Sequence, residues 1–277
     1  MDSSATPSDT RAGGPSRTEF IALIAALMAL NALAIDIMLP ALPDMGADLA
    51  IPTENERQFV ISAYMLGFGA AQIIYGPVAD RLGRRAPLFF GIGLYVVSAA
   101  MATFATSFAL LLALRFIQGL GAASTRVIAT SIVRDRYGGR EMAEIMSLAF
   151  MVFMVMPIVA PGIGQLILLF GTWHQVFLSM AGLAAAILVW AMLRLPETLD
   201  PQNRRALSPG SVARGFRLVL TNRLAFFYGL AGVFLFSALF GLIISSQQIF
   251  VGIYVGFLVL GCALLAERGR LFGTGPK

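Results

Sequence analysis

A single cysteine, Cys262, and a single histidine, His174, occur in the whole chain. One thiol cannot form an internal disulfide, and no Cys/His set has the spacing of a metal site, so no metal is expected. His174 follows Trp173 at the start of an apolar segment and reads as an interfacial anchor rather than a ligand. Charge is also scarce: Asp, Glu, Lys and Arg make up 13% of the residues, against roughly a quarter in soluble domains. No catalytic triad, P-loop or metal cluster is visible, so an enzyme is not expected. The run "GLGAAS" has the beginning of a dinucleotide loop but lacks its last glycine and a preceding strand. Gly119, Gly121, Ala122 and Ala123 are better read as small residues that let helices approach closely.

What the chain has in quantity is apolar sequence, 58% of its 277 residues. It comes in blocks of about 20 residues, each long enough to cross about 30 Å of hydrocarbon. Backbone polar groups must be satisfied internally in lipid, so the blocks are expected as helices and the chain as an all-α polytopic membrane protein. Eight spans are predicted, at 20–40, 59–79, 86–106, 108–131, 142–169, 174–193, 223–244 and 248–266. The net charge of +5 does not point to nucleic acid, because the basic residues sit in short clusters between spans. Arg11 and Arg17, then Arg81, Arg84 and Arg85, then Arg134, Arg136 and Arg140, fall on one side. Arg194, Arg204, Arg205, Arg214, Arg217 and Arg223 share that side with Arg268, Arg270 and Lys277, while Arg57 is the sole basic residue of the opposite loops. By the positive-inside rule the N-terminus is cytoplasmic and the protein is a multi-pass component of the cell inner membrane.

The expected organisation is a disordered cytoplasmic tail at 1–17, a six-helix bundle at 18–194, a linker at 195–222 and a partial second bundle at 223–277. Pro196, Pro201, Pro209 and Gly210 mark the linker. Ala32-Leu33-Ala34 resembles a leader cleavage site, but such a leader would be unusually long, with Glu19 directly before its core.

Polar residues inside the spans are the candidates for chemistry. Asp36 lies near the outer end of the first span with Asn31 deeper. An unpaired charge at such depth costs about 3 kcal/mol on insertion scales, so Asp36 reads as a functional acid open to protonation; the bland alternative is a residue at the headgroups before Pro40. In the fourth span Arg115 and Arg126 are eleven residues apart, about 1100° of helix, which returns them to nearly one face. Gln118 lies close to that face, and the stripe should meet a cavity or a partner helix rather than lipid. Arg115 and Asp36 lie at similar depth, so a pair between them is geometrically allowed, as coupling machinery or as structural glue. In the fifth span Pro157, Pro161, Gly162 and Gly164 suit a bending, close-packed helix that gates a pathway, or one that is merely kinked. The turn "GPVADRLGRR" carries Gly76 as a packing surface, Gly83 as a tight turn and Asp80 as a charge suited to a helix N-terminus. Arg81, Arg84 and Arg85 there are topology signals.

These pieces resemble the major facilitator superfamily, and within it the bicyclomycin-resistance-like (Bcr/CflA) drug-efflux branch. Gly76, Asp80, Arg81, Gly83, Arg84 and Arg85 match the family's loop motif G-x-x-x-D-[RK]-x-G-[RK]-[RK], and "RFIQGLGAA" is similar to its fourth-helix motif. "APGIG" is similar to the antiporter motif G-P-x-x-G-G through Pro161 and Gly164, with Ala160 and Gln165 departing from it, and "AIDIMLPALP" matches the branch's first helix. The resemblance, from residue 18 to about 254, implies two six-helix bundles rocking about a midplane cavity and proton-coupled export of small amphipathic drugs. It further implies proton coupling through Asp36 and Arg115, a cavity with Asn31, Gln118 and Arg126, and a loop motif that latches onto an eleventh helix. A proton gradient is the expected energy source, with no cofactor.

The chain departs from that pattern after the linker, where two spans are found, and "ERGRLFGTGPK" shows no motif. This raises the expectation of a truncated or frame-disrupted product whose last twenty or so residues are not family sequence. A non-transporting remnant, a chain that works only as a dimer, and a proton-coupled uptake symporter of the same superfamily stand as alternatives.

Overall fold

The computed structural model describes residues 15–204 and 209–247, and every regular element among them is a helix. Ser16 opens α1 (Arg17–Asp36) by accepting from the Glu19 N–H at 3.2 Å, which satisfies one of the donors a helix start leaves free. After Asp36 the chain turns through a 3-10 segment, Leu39–Ala41, into the short α2 (Leu42–Asp48). Pro40 and Pro43 stand at the starts of these two elements, where a missing N–H costs nothing. The span expected at 20–40 is therefore helical to Asp36 and bent beyond it. A one-turn α3 (Glu54–Arg57), capped by Thr53, leads into α4 (Phe59–Leu82). Then follow α5 (Arg85–Ala102), α6 (Phe108–Arg136), α7 (Gly139–Phe170) and α8 (Trp173–Arg194).

Six of these segments are long and apolar enough to cross a membrane, and they coincide with the first six predicted spans to within a few residues. α4, α6 and α7 run further at the arginine-bearing end than predicted, because a helix does not stop where hydrocarbon does. α6 lies against both α4 and α5, α1 packs on α7 and α6, and α5 packs on α8. α4 and α6 approach closely: a Cβ on Gly119 would collide with the Tyr64 carbonyl, and one on Gly67 with the Phe116 carbonyl. Gly121 meets Gly91 of α5 in the same way, and Ala122 and Ala123 are fully buried. The small-residue reading of this stretch thus describes real helix crossings, which in lipid depend on van der Waals contact rather than on hydrophobic burial. α7 keeps Ile145, Ala149, Phe153, Ala160 and Gly164 buried and leaves Met151, Met154, Ile158, Leu169 and Phe170 exposed. So much exposed apolar surface is a liability in water and is the ordinary outer face of a bundle in hydrocarbon.

The two ends of this bundle differ in charge. One end holds Arg17, Arg81, Arg84, Arg85, Arg134, Arg136, Arg140 and Arg194, and ion pairs tie it together. Arg17 pairs with Glu144 at 3.0 Å, and Arg194 holds both oxygens of Glu19 at 2.6 Å each. At the other end Trp173 donates to Asp48 at 2.9 Å, and the half-buried ring of His174, the predicted anchor, stacks on Trp173.

The chain divides into two compact units, Met1–Pro209 and Gly210–Lys277. The segment expected as a linker at 195–222 is more structured than its prolines implied. It holds a 3-10 turn at Pro201–Asn203 and a helix, α9 (Pro209–Thr221). Pro209 stands at the first position of α9, where proline starts a helix instead of breaking one. α10 (Arg223–Gln247) occupies the seventh predicted span. The eighth, at 248–266, and nearly all of the expected tail lie outside the described residues.

Candidate functional site

The Arg115 guanidinium is fully buried in the centre of the bundle, and helix geometry decides its partners. It donates from Nη1 to Gln118 Oε1 at 2.7 Å, one turn along α6, and from Nε to the Val60 carbonyl of α4 at 3.3 Å. Nη2 donates to the Ala34 carbonyl of α1 at 3.0 Å. Ala34 is in the last turn of α1, where carbonyls have no intrahelical donor and a cation is favoured by the helix dipole. The Tyr64 ring lies 4.5 Å from the guanidinium carbon and the Phe177 ring 5.8 Å from it, so the charge is walled by aromatic faces. Tyr64 in turn donates its hydroxyl to Asn31 Oδ1 at 2.7 Å.

Asp36 is 3% exposed, and its Oδ1 is buried without a hydrogen-bond partner. The Asp36–Arg115 pair that matching depth allowed is not formed: Arg115 reaches the backbone two residues earlier and its fork is filled by neutral acceptors. Protein, rather than open solvent, surrounds the Asp36 side chain. Asn31 and Gln118 are buried with their carbonyl oxygens taken, while Gln118 Nε2 and the Tyr95 hydroxyl are buried without partners. Arg126 lies half-buried over the Phe153 ring of α7 at 5.8 Å, so Arg115 and Arg126 meet different neighbours.

The loop-motif residues form a second constellation at the arginine-bearing end. Gly83 has φ +91°, a left-handed turn that suits glycine. Arg84, which follows it, pairs through Nη1 with Asp80 at 2.7 Å and through Nε with Asp135 of α6 at 2.7 Å. Burial opposes its charge, but these two carboxylates outweigh that and raise its proton affinity above the ordinary arginine value. Glu197, just past α8, accepts from the N–H groups of Arg84 at 2.8 Å and Arg85 at 3.1 Å. The negative charge at a helix N-terminus is therefore Glu197 on α5, whereas Asp80, read from sequence for such a role, is engaged by Arg84. Partial burial works against the Glu197 carboxylate, yet four backbone N–H donors, from Arg84, Leu199, Arg85 and Thr198, hold its pKa below the ordinary value. Arg85 also donates to the Met192 carbonyl at 2.9 Å, and Arg81 stays exposed. Gly76 was expected to be a packing surface, but a Cβ there would meet nothing within 4 Å.

α7 runs unbroken through Pro157 and Pro161. Gly164 is packed so tightly on α1 that a Cβ would strike the Ile37 carbonyl, whereas Gly162 faces open space. Two helical residues point about 200° apart, so one glycine of the pair cannot share the other's contact. Sequence reasoning missed Tyr64, Tyr95, Asp135 and Glu197. No motif spacing marks the tyrosines, and only the position of Asp135 and Glu197 just beyond apolar spans hinted at a role.

The described residues up to Arg194 thus form a packed six-helix membrane bundle with an arginine-rich, ion-paired turn between its second and third crossing helices. The Major Facilitator Superfamily model matches residues 24–274, and the chain belongs to that superfamily, a transporter family and not an enzyme class. It is 31% identical over 237 residues to the bicyclomycin resistance protein homolog of Haemophilus influenzae, covering 85% of this chain and 59% of that protein. It is 32% identical over 243 residues to the uncharacterized MFS-type transporter YdgK of Bacillus subtilis, covering 87% and 60%. It is also 35% identical over 181 residues to the multidrug resistance protein MdtL of Escherichia coli, covering 65% and 46%. The chain thus spans about 60% or less of the length of these relatives. The human organic anion transporter MFSD10 (TETRAN) shares the fold at TM-score 0.58 and 22% identity, over 76% of this chain and 55% of that one. The family match corrects one expectation: it runs on through residues 255–274, so this segment is not foreign sequence.

Proposed function

We propose that this chain serves proton-coupled export of small amphipathic drugs across the cell inner membrane by alternating access, with its N-terminus cytoplasmic. The observation that carries the proposal is Asp36: a carboxyl enclosed in the bundle, with Oδ1 unpartnered and no cation bonded to it among the described residues. Its two protonation states differ by a full charge in a site enclosed by protein, so any change of water access there is strongly coupled to the proton. Arg115 keeps a buried positive charge at the Ala34 carbonyl, two residues before Asp36 in α1, without bonding to its carboxylate. The resistance-protein names of the relatives support a drug as the substrate, and the basic residues gathered at one end of the bundle support the orientation. The prolines and glycines of α7 would supply the moving helix, and the Arg84 cluster the latch. The test is drug accumulation in energised cells expressing the chain, Asp36→Asn and Asp36→Glu. The chain should lower accumulation, Asp36→Glu should retain part of that effect, and Asp36→Asn or collapse of the proton gradient should abolish it. Full energised efflux by Asp36→Asn would refute proton coupling at this residue. Equal accumulation with and without the chain would refute transport by it.

A further inference from the structure

We infer that α9 is an interfacial helix that lies on the membrane surface and binds anionic lipid headgroups. α10, 25 residues long, spans roughly 37 Å at 1.5 Å per residue, enough to cross the hydrocarbon. Its first residue, Arg223, therefore stands at headgroup depth. A single residue, Asn222, separates it from the end of α9. The Asn222 N–H closes α9 on the Leu218 carbonyl at 3.0 Å, and its Oδ1 accepts from the Leu224 and Ala225 N–H groups at 3.1 Å each. This side-chain cap starts α10 afresh, so α9 is a separate helix and not the continuation of α10.

The register of α9 separates two faces. At 100° per residue Val212, Phe216, Val219 and Leu220 fall within an arc of about 100°, while Arg214, Arg217 and Thr221 fall opposite, with Leu218 the one large apolar residue on their side. Val219 and Leu220 are exposed, at 53% and 62%. Charge selects the occupant of that face: between Pro201 and Gln247 there is no Asp or Glu, while Arg204, Arg205, Arg214, Arg217 and Arg223 are present. An apolar stripe edged by unopposed arginines, tethered at headgroup depth, fits the boundary between acyl chains and anionic phosphates.

The test uses the full chain with Cys262→Ser, carrying a single environment-sensitive fluorophore on Val219→Cys or Thr221→Cys. The protein is reconstituted in phosphatidylcholine vesicles with or without phosphatidylglycerol. In anionic vesicles the label at 219 should be blue-shifted and quenched by brominated acyl chains, and the label at 221 should be quenched by aqueous iodide. Removing phosphatidylglycerol should weaken the contrast without any substitution, so misfolding of a variant cannot mask the result. Arg214→Gln and Arg217→Gln should each lower the ratio of buried to water-exposed label about fivefold in anionic vesicles. Equal iodide quenching at both positions would overturn the inference. So would a label at 219 that is buried regardless of lipid charge, since protein would then cover the face.

Discussion

Replacing Arg84 with alanine should destabilise the six-helix bundle by about 3–4 kcal/mol, more than any other single change at its arginine-bearing end. The figure follows from the exposure of the three side chains. Arg84 is 4% exposed and Asp135 16%, so removing the cation leaves a nearly enclosed carboxylate without its partner. Breaking a buried pair from one side costs about 3–5 kcal/mol, and the partial exposure of Asp135 puts this pair at the lower end. Asp80 is 38% exposed, so water screens that arm and it adds at most about 1 kcal/mol. The Glu197 contact survives the substitution because it uses the Arg84 backbone N–H. Arg84→Lys should recover part of the loss, since a point charge reaches one carboxylate but cannot fork between two. Arg81→Ala, at an exposed neighbour, should change stability by less than about 0.5 kcal/mol. The assay is reversible unfolding of the purified chain in mixed micelles with increasing dodecyl sulfate, followed by far-ultraviolet circular dichroism. A double-mutant cycle with Asp135→Ala separates the pair from other effects, and Arg84→Ala should then cost far less. Equal losses for Arg84→Ala and Arg81→Ala, or strict additivity with Asp135→Ala, would refute the reasoning.

Glu197 should give the bundle an acid-sensitive step. Its folded pKa lies below the ordinary value near 4.5, so its contribution is complete above that value and disappears as pH falls through the lowered folded value. Unfolding midpoints of the chain and of Glu197→Gln, measured downward from neutral pH, should converge in that acid range, and parallel curves would remove Glu197 from the account. Gly119→Val should destabilise by 3 kcal/mol or more, beyond the roughly 1–3 typical of overpacking, because the obstacle is the Tyr64 backbone carbonyl. Gly76→Ala, with open space at its Cβ, should be neutral or stabilising by up to about 1 kcal/mol. Thermal midpoints in detergent that rank these two substitutions the other way round would contradict the packing at the α4–α6 crossing.

The span count of the first bundle, the positions of its helices and the grouping of arginines at one end were legible because a bilayer imposes a one-dimensional rule. Hydrocarbon thickness sets helix length, and charge is excluded from the interior. The glycines and alanines of α6 were legible for a similar reason, since helix contact in lipid needs small residues whatever the partner. Pro209 and Gly210 were legible as a boundary, since the division between the two compact units falls there, but only the place of Pro209 at the first turn of α9 makes it a helix start. Partnership among polar residues was decided by tertiary structure alone. Asp36 and Arg115 match in depth along their helices, but whether they meet depends on how α1 and α6 are rotated about their axes. That rotation presents Arg115 to the Ala34 carbonyl, 81 residues away in sequence, and leaves Asp36 without a cation. Glu197 reaches the N-terminus of α5 across 113 residues by the same kind of decision. Depth in a membrane is written in local composition, whereas rotation and neighbour choice come from the packing of all the helices at once.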